Sequence, residues 1–357
     1  MALELEARPM KKVVVHSPGG YEKLRIEDHP TPTPEGDQVV VETAAVGVNY
    51  ADCCVRWGVY ESAKKYVGWP ITPGFEFAGK VIAAGPQAKY KVGDAVFGVS
   101  RFGGYSTHVC VPSHQVFRIP AGMTAQQAAA FPSVYMTAYH AVHQLVRIRK
   151  NGTVLIHSAA GGVGTALLQI CKIAGFRSVG VVGASHKIQF AKDFGADVVI
   201  DKSKEDLWAR AKAEAPEGYD AVFDANGYTT YNQSYEHLRA TGKLVVYGTH
   251  SLLPTAGGRI NYIKAGLGML RTPKFNPFKM IVDNRSVVGF NVSFLFDRTD
   301  LLDEGMADML AWIEQGKLKP PGVTEFPFEQ VSEAHKLIES AQSVGKIVLV
   351  PRQVAAD

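Results

Sequence analysis

Up to about residue 120, short β-branched runs alternate with glycine and proline turns. The runs are Val13-Val14-Val15, Val39-Val40-Val41, Val81-Ile82, Ala95-Val96-Phe97 and Val109-Cys110-Val111. Their irregular spacing and frequent turns predict a small barrel-like β domain. Thr124-Ala125-Gln126-Gln127 then reads as a capping box opening a short Ala-rich helix that Pro132 closes. A longer helical pattern follows from about Ser133 to Val146.

From Gly152 the rhythm changes. Thr153-Val154-Leu155-Ile156-His157 is a buried-strand run, followed by a Gly-rich turn and a helical stretch from Thr165 to Ala174. Strands at Val179–Val182, Asp197–Ile200, Ala221–Asp224 and Lys243–Tyr247 alternate with helical material, including Lys187–Phe194. Such alternation predicts a parallel, doubly wound sheet. Helices at about Asp300–Gln315 and Val331–Ala341 precede a last strand, Lys346–Val350. That strand has no place in a completed nucleotide sheet, so it is expected to rejoin the β domain.

Length supports this division, because 357 residues exceed what one core usually holds. A formal charge of +4 is small for the length and points to no particular partner, and nucleic-acid binding is not expected. Cys53, Cys54, Cys110 and Cys171 form no C-x-x-C and match no common zinc spacing. They read as reduced core thiols, which favours the cytoplasm. The N-terminus M-A-L-E-L-E-A-R-P-M-K-K lacks an apolar signal core, and no run approaches the ~20 apolar residues of a membrane span. A soluble, intracellular chain is expected.

The strongest chemical signal is T-V-L-I-H-S-A-A-G-G-V-G-T-A-L-L-Q. Against G-x-G-x-x-G, Ala159 takes the first glycine position, Gly161 the second and Gly164 the third, between a strand and a helix. Ala160, Gly161 and Gly162 bring backbone to a pyrophosphate, and Gly164 lets the helix pack on the strand. From Val163 onward the helix offers N–H groups to the anion.

Cofactor choice is read at the end of the next strand, where an NAD site places an acid ~20 residues past the loop. Val182-Gly183-Ala184-Ser185-His186-Lys187 contains no acid. Ser185 and Lys187 beside Gly183 suit a 2′-phosphate, and Lys202 adds a second cation, so NADPH is expected over NADH.

V-G-V-N-Y-A-D (46–52), P-G-F-E-F-A-G (73–79), Y-K-V-G-D-A-V-F-G (90–98), M-T-A-Y (136–139), A-A-G-G-V-G (159–164) and V-G-K-I-V-L (344–349) follow one another in order. By these motifs the chain resembles the medium-chain dehydrogenase/reductase superfamily over nearly its whole length. Within it the resemblance is to the zinc-independent quinone oxidoreductases, the zeta-crystallin-like branch. M-I-V-D-N-R-S-V-V-G-F-N-V-S-F-L-F-D (280–297) further resembles the vesicle amine transport protein group. The resemblance implies a GroES-like catalytic domain from residues 1–135 and 290–357, a Rossmann NADPH-binding domain from 136–289, and a homodimer.

Zinc-dependent members of that superfamily carry a Cys ligand where this chain has Asn49, and G-H-E where it has Gly74-Phe75-Glu76. Asn49 and Phe75 offer neither the thiolate nor the imidazole that catalytic zinc prefers, so no metal is expected. His108, His114 and His157 remain as stray candidates, each more often a surface or packed residue. Glu76 then reads as a structural carboxylate with a hydrogen-bonded or cationic partner, beside an apolar cleft at Phe75.

Without a Lewis acid, acceptors that take hydride readily fit best, namely quinones or conjugated carbonyls. By resemblance, Thr137 contacts the nicotinamide end, and Phe290, Phe294 and Leu295 line the cofactor from the other side. Tyr247 and Gly248, ending the strand from Lys243, complete the cofactor set. Asn49 and Tyr60 are expected in the substrate cleft, with Tyr60 or water supplying a proton. Asp52 is either an orienting residue or a buried structural carboxylate. An enoyl-thioester reductase is the alternative enzyme. A protein that binds NADPH with little turnover is the alternative from another class.

Residues 259–285 carry Arg259, Lys264, Arg271, Lys274, Lys279 and Arg285 against Asp283, a local charge of +5, interleaved with large apolar residues. Such a mixture suits peripheral contact with an anionic membrane, or an acyl or phosphorylated ligand. Pro273 and Pro277 break any single long amphipathic helix, which favours a loop packed over the cofactor cleft with solvated lysines.

Overall fold

The computed structural model describes residues 9–352. Most of the N-terminal stretch read for a signal core lies outside them. The chain divides into two compact units. The first comprises residues up to Ser133, Thr255–Arg259 and the chain from Pro320, and the second comprises Val134–Pro254 and Ile260–Lys319.

In the first unit a sheet runs in the order Val323–Pro327, Lys346–Val350, Gln38–Val48, Glu76–Ala84, Ala95–Val99, Val116–Arg118, with His108–Pro112 also paired to Gln38–Val48. Only the first pair is parallel. The last strand thus rejoins the β domain as its pattern predicts. Alternate residues of Gln38–Val48 face a core with Phe77, Val81, Val96, Ile347 and Leu349. Close strand approach demands Gly79, where a Cβ would lie 1.9 Å from the Glu42 carbonyl oxygen.

The second unit holds six parallel strands: β1 (Thr153–Ile156), β2 (Arg177–Val182), β3 (Val198–Asp201), β4 (Tyr219–Asp224), β5 (Leu238–Val246) and β6 (Ser286–Gly289). Their order is β3-β2-β1-β4-β5-β6. This is the doubly wound nucleotide-binding order, which reverses between β1 and β4. Leu155, Val179, Val222 and Leu244 build its core.

Two boundaries differ from the sequence pattern. Pro132 does not close the Ala-rich helix. The capping box at Thr124 opens Ala125–Ala129, and Pro132 starts the next helix, Pro132–Tyr139, where a missing N–H costs nothing. That helix runs on as a π-helical turn, His140–Leu145. The return to the first unit comes at Pro320 and not at residue 290. Helix Thr299–Glu314 stays with the second unit because Tyr139 donates to Asp308 at 2.6 Å and Gly305 packs on the Tyr139 ring.

Residues 259–285 are not a packed loop. They contain two helices, Tyr262–Arg271 and Pro277–Asp283, with Ile263, Leu270, Phe278 and Val282 each at least 79% exposed. No helix among the described residues is long and apolar enough to cross a membrane. All four cysteines are free.

Candidate active site

In the second unit, β1 leads through Ser158–Gly161 into helix Gly162–Ile173, with Gly161 extended at its N-cap. The loop is pinned by Ala159 N–H on the Val181 carbonyl and Gly161 N–H on that of Ser158, both at 2.9 Å. Gly164 admits no side chain, since a Cβ there would sit 2.3 Å from the Ser158 carbonyl oxygen. The first N–H groups of this helix, at Gly162, Val163 and Gly164, have no acceptor within it, and the helix dipole adds a positive field there. Alongside Ala160 and Gly161, this cradle fits the pyrophosphate of a dinucleotide.

The strand order reverses beside this loop. There His157, after β1, and Asp224, ending β4, share Ser234: its Oγ donates to Asp224 Oδ2 at 2.7 Å and lies 3.0 Å from His157 Nε2. All three are buried, and burial lowers the His157 pKa. Through Ser234 this histidine ties the end of β1 to the end of β4.

At the end of β2 the structure corrects the sequence. No acid lies between Val182 and Lys187, yet register pairs Asp201 of β3 with Val182. Asp201 accepts from the Ser185 hydroxyl and the Ser203 hydroxyl, both at 2.6 Å, and these bonds hold its pKa below the usual carboxylate range. The Ser185 proton is therefore committed to Asp201. Lys187 is buried, and burial and the charge of Lys202 depress its pKa. The Lys202 stem lies 3.6 Å from where a Gly183 Cβ would be. Two mutually repelling cations beside the β2 end suit a doubly charged anion, with Asp201 as a countercharge.

Further residues of the cofactor set also lie in this unit. Tyr247 meets Phe290 at 6.1 Å between ring centroids, and Phe290 meets His140 edge-on at 4.9 Å. The Tyr231 hydroxyl donates to the Gly248 carbonyl. Phe294 is 39% exposed in the turn Val292–Phe294, and Leu295 caps that turn. Thr137 stands on helix Pro132–Tyr139.

The first unit assembles the other candidates around P-G-F-E-F-A-G. Gly74 has φ +99°, and a Cβ there would meet the Tyr105 nitrogen at 2.4 Å. Its N–H donates to Asp52 Oδ1 at 2.8 Å, while Asp52 Oδ2 accepts from Asn49 N–H at 2.8 Å and Tyr105 Oη–H at 3.1 Å. Asp52 thereby ties the start of helix Tyr50–Trp57 to the Gly74 turn. Burial nonetheless pushes its pKa up to about 7.

Glu76 has the partners its burial requires. Oε1 accepts from Lys346 Nζ at 2.7 Å and Asn49 Nδ2 at 2.8 Å, and Oε2 accepts from Ser133 N–H at 2.8 Å. Lys346 also donates to Asn49 Oδ1 at 2.7 Å and to the Val48 carbonyl at 2.8 Å. Gly47 makes room, since a Cβ there would lie 2.4 Å from Glu76 Oε1. Beside this cluster, Phe75 packs on Tyr60 at 5.7 Å and on Phe102 at 5.2 Å, an aromatic wall.

Sequence reasoning missed Lys346 and a buried polar chain behind Asp52. Tyr105 Oη reaches His335 Nε2 at 3.2 Å, and Arg56 bonds His335 Nδ1 at 3.1 Å and Glu339 at 2.6 Å. Cys53, His335 and Glu339 bring ligand atoms within 4.8 Å of one another among the described residues. The buried Arg56 guanidinium already serves both His335 and Glu339, so this donor set does not suit a metal. Burial and Arg56 drive the His335 pKa well down.

A family model described as an alcohol dehydrogenase GroES-like domain matches residues 35–121, and one described as zinc-binding dehydrogenase matches residues 194–349. The chain is 33% identical to the synaptic vesicle membrane protein VAT-1 homolog of Rattus norvegicus, over 97% of this chain and 85% of that protein. It is similar to the solved Escherichia coli quinone oxidoreductase complexed with NADPH, with TM-score 0.82 and 27% identity, covering 96% of this chain and 100% of that one. The CurK enoyl reductase structure matches with TM-score 0.82 and 25% identity, covering 96% and 99%.

Proposed function

The chain belongs to the medium-chain dehydrogenase/reductase superfamily, in its zeta-crystallin-like and VAT-1 group, and from that premise we propose a zinc-independent, NADPH-dependent reductase of quinones or related conjugated carbonyls. The observation that carries this reading is the cluster at Asn49. Where zinc-dependent relatives hold ligands, this chain has an amide, a phenyl ring and a carboxylate already bound to Lys346.

NADPH supplies the hydride. The helix N-terminus at Gly162 would hold the pyrophosphate, and Lys187 and Lys202 would neutralise the 2′-phosphate. Tyr247, Phe290, Phe294 and Leu295 would give the nicotinamide end an apolar bed. Asn49 would donate to the acceptor oxygen, stabilising the negative charge that develops there as the acceptor takes hydride. Tyr60, Phe75 and Phe102 exclude water from the acceptor face. The Tyr60 hydroxyl or solvent returns the proton.

Side-by-side assays of NADPH oxidation with quinones, enals and enoyl thioesters test this reading. Quinone or enone turnover in metal-free enzyme supports it. Preference for a crotonyl-type thioester would transfer the reading to an enoyl reductase, as the CurK likeness suggests. Tight NADPH binding without turnover across the panel would overturn both.

A second reading, membrane association, is favoured by the exposed apolar side chains and +5 charge of residues 259–285. We propose peripheral contact of a cytoplasmic homodimer with anionic lipid there.

A further inference from the structure

We propose that Lys346 is a positioning residue: with Glu76 it locks the Asn49 amide in one orientation and aims its second Nδ2 hydrogen at the acceptor's carbonyl oxygen. The identity of that acceptor rests on the reductase reading above; the locked amide does not.

An asparagine amide is nearly symmetric in shape, so its orientation is decided by its partners. Asn49 Oδ1 faces the Lys346 ammonium at 2.7 Å, a group that only donates. Its Nδ2 faces Glu76 Oε1 at 2.8 Å. Turned over, the amide would set donor against donor and carboxylate against carbonyl, in a site where Asn49 is only 7% exposed.

Hydrogen counting assigns the remaining roles. Lys346 has three N–H groups and three acceptors: the Val48 carbonyl, Asn49 Oδ1 and Glu76 Oε1. It has no hydrogen left to give a substrate, so it is not the proton donor. Glu76 accepts from Asn49 and Lys346 on Oε1 and from the Ser133 N–H on Oε2, and so serves as the anchor of this cluster. One donor hydrogen of the Lys346–Asn49 pair remains uncommitted to this cluster, the second on Asn49 Nδ2. An ammonium on Oδ1 polarises the amide and strengthens that N–H as a donor. The pair adds no net charge, since Glu76 balances Lys346. The Asn49 amide thus carries the ammonium's field toward the acceptor.

The test is a double-mutant cycle of Lys346→Met and Asn49→Ala in the full chain, reading kcat, KM and NADPH affinity with a quinone or enone that the wild type reduces. Each single variant is expected to lose about 10- to 100-fold in kcat, with NADPH affinity unchanged. The double variant is expected to lose no more than either one, and Lys346→Arg to recover part of the loss. Multiplying losses, or wild-type kcat in Lys346→Met, would overturn the proposal. Should Lys346→Met not fold, Lys346→Arg takes its place in the cycle, judged by the same additivity. If the wild type binds NADPH but reduces nothing, the reductase reading fails separately. The lock is then judged by the two Asn49 Nδ2 proton resonances, which must shift in Lys346→Arg; unchanged resonances would overturn it.

Discussion

The Ser185 hydroxyl donates to Asp201 Oδ2 at 2.6 Å, joining the ends of β2 and β3 where a 2′-phosphate would lie. On the proposed reading, selectivity for NADPH therefore falls to Lys187 and Lys202, with Asp201 opposing them. Lys202→Ala is expected to weaken NADPH about tenfold or more while leaving NADH little changed. Asp201→Asn should move the NADPH-to-NADH ratio the other way. Fluorescence titration with both cofactors checks this, and an unmoved ratio in both variants rejects the assignment.

Gly164→Ala should disrupt the dinucleotide cradle outright. With a Cβ 2.3 Å from a backbone oxygen, the helix must shift, at a cost of about 1–3 kcal/mol or more. Gly266→Ala is the control, because nothing lies within 4 Å of its Cβ position. Thermal melts with and without NADPH should separate the two, with NADPH stabilisation lost only in the first.

Asp52 should titrate near neutrality. Burial pushes its pKa up to about 7, so between about pH 4 and 7 the folded chain holds a proton that the unfolded chain has released. Stability from this group is therefore lost as pH rises through that window, by about 1.4 kcal/mol per pH unit at most. His335, kept neutral by burial and Arg56, acts in the opposite sense, costing stability as pH falls below about 6.5. Carboxyl-carbon NMR of Asp52 reads its own titration; a midpoint near 4 would contradict the burial argument.

Breaking the buried ion pair from one side should be severe. Arg56 and Glu339 have fully buried side chains and lie 2.6 Å apart. Arg56→Met strands a carboxylate among Tyr21, His335 and Cys53, at about 3–5 kcal/mol. Adding Glu339→Gln to that variant should recover part of the loss. Denaturant unfolding of both proteins measures the difference.

Membrane contact through residues 259–285 predicts salt-sensitive sedimentation with anionic vesicles and none with neutral ones. Leu270→Asp with Val282→Asp should abolish it, because both side chains are over 80% exposed. Binding unaffected by this double substitution would move the contact elsewhere.

Much of this arrangement is written locally. The strand–loop–helix at Thr153–Ile173 announces itself because one short stretch supplies the turn, the close approach and the helix start. Glu76's need for a partner is equally legible, since a carboxylate between two phenylalanines cannot be buried alone. Its partner is not, for Lys346 stands 270 residues away and only sheet pairing brings it near. Asp201 was hidden for the same reason: its place beside Ser185 is set by register between β2 and β3. The exposed faces of 259–285 were misread because mixed apolar and basic residues do not say whether a neighbour covers them.

The strand Lys346–Val350 has a consequence for biogenesis. It pairs with Gln38–Val48, yet it is made only after the whole second unit has been synthesised. Until it arrives, Glu76 is a carboxylate without its cation and Asn49 an amide without its lock. Assembly of the Asn49 cluster thus waits on synthesis of the second unit, and a product that stops before Lys346 has the loop at Ser158–Gly164 but not the cation that Glu76 and Asn49 require.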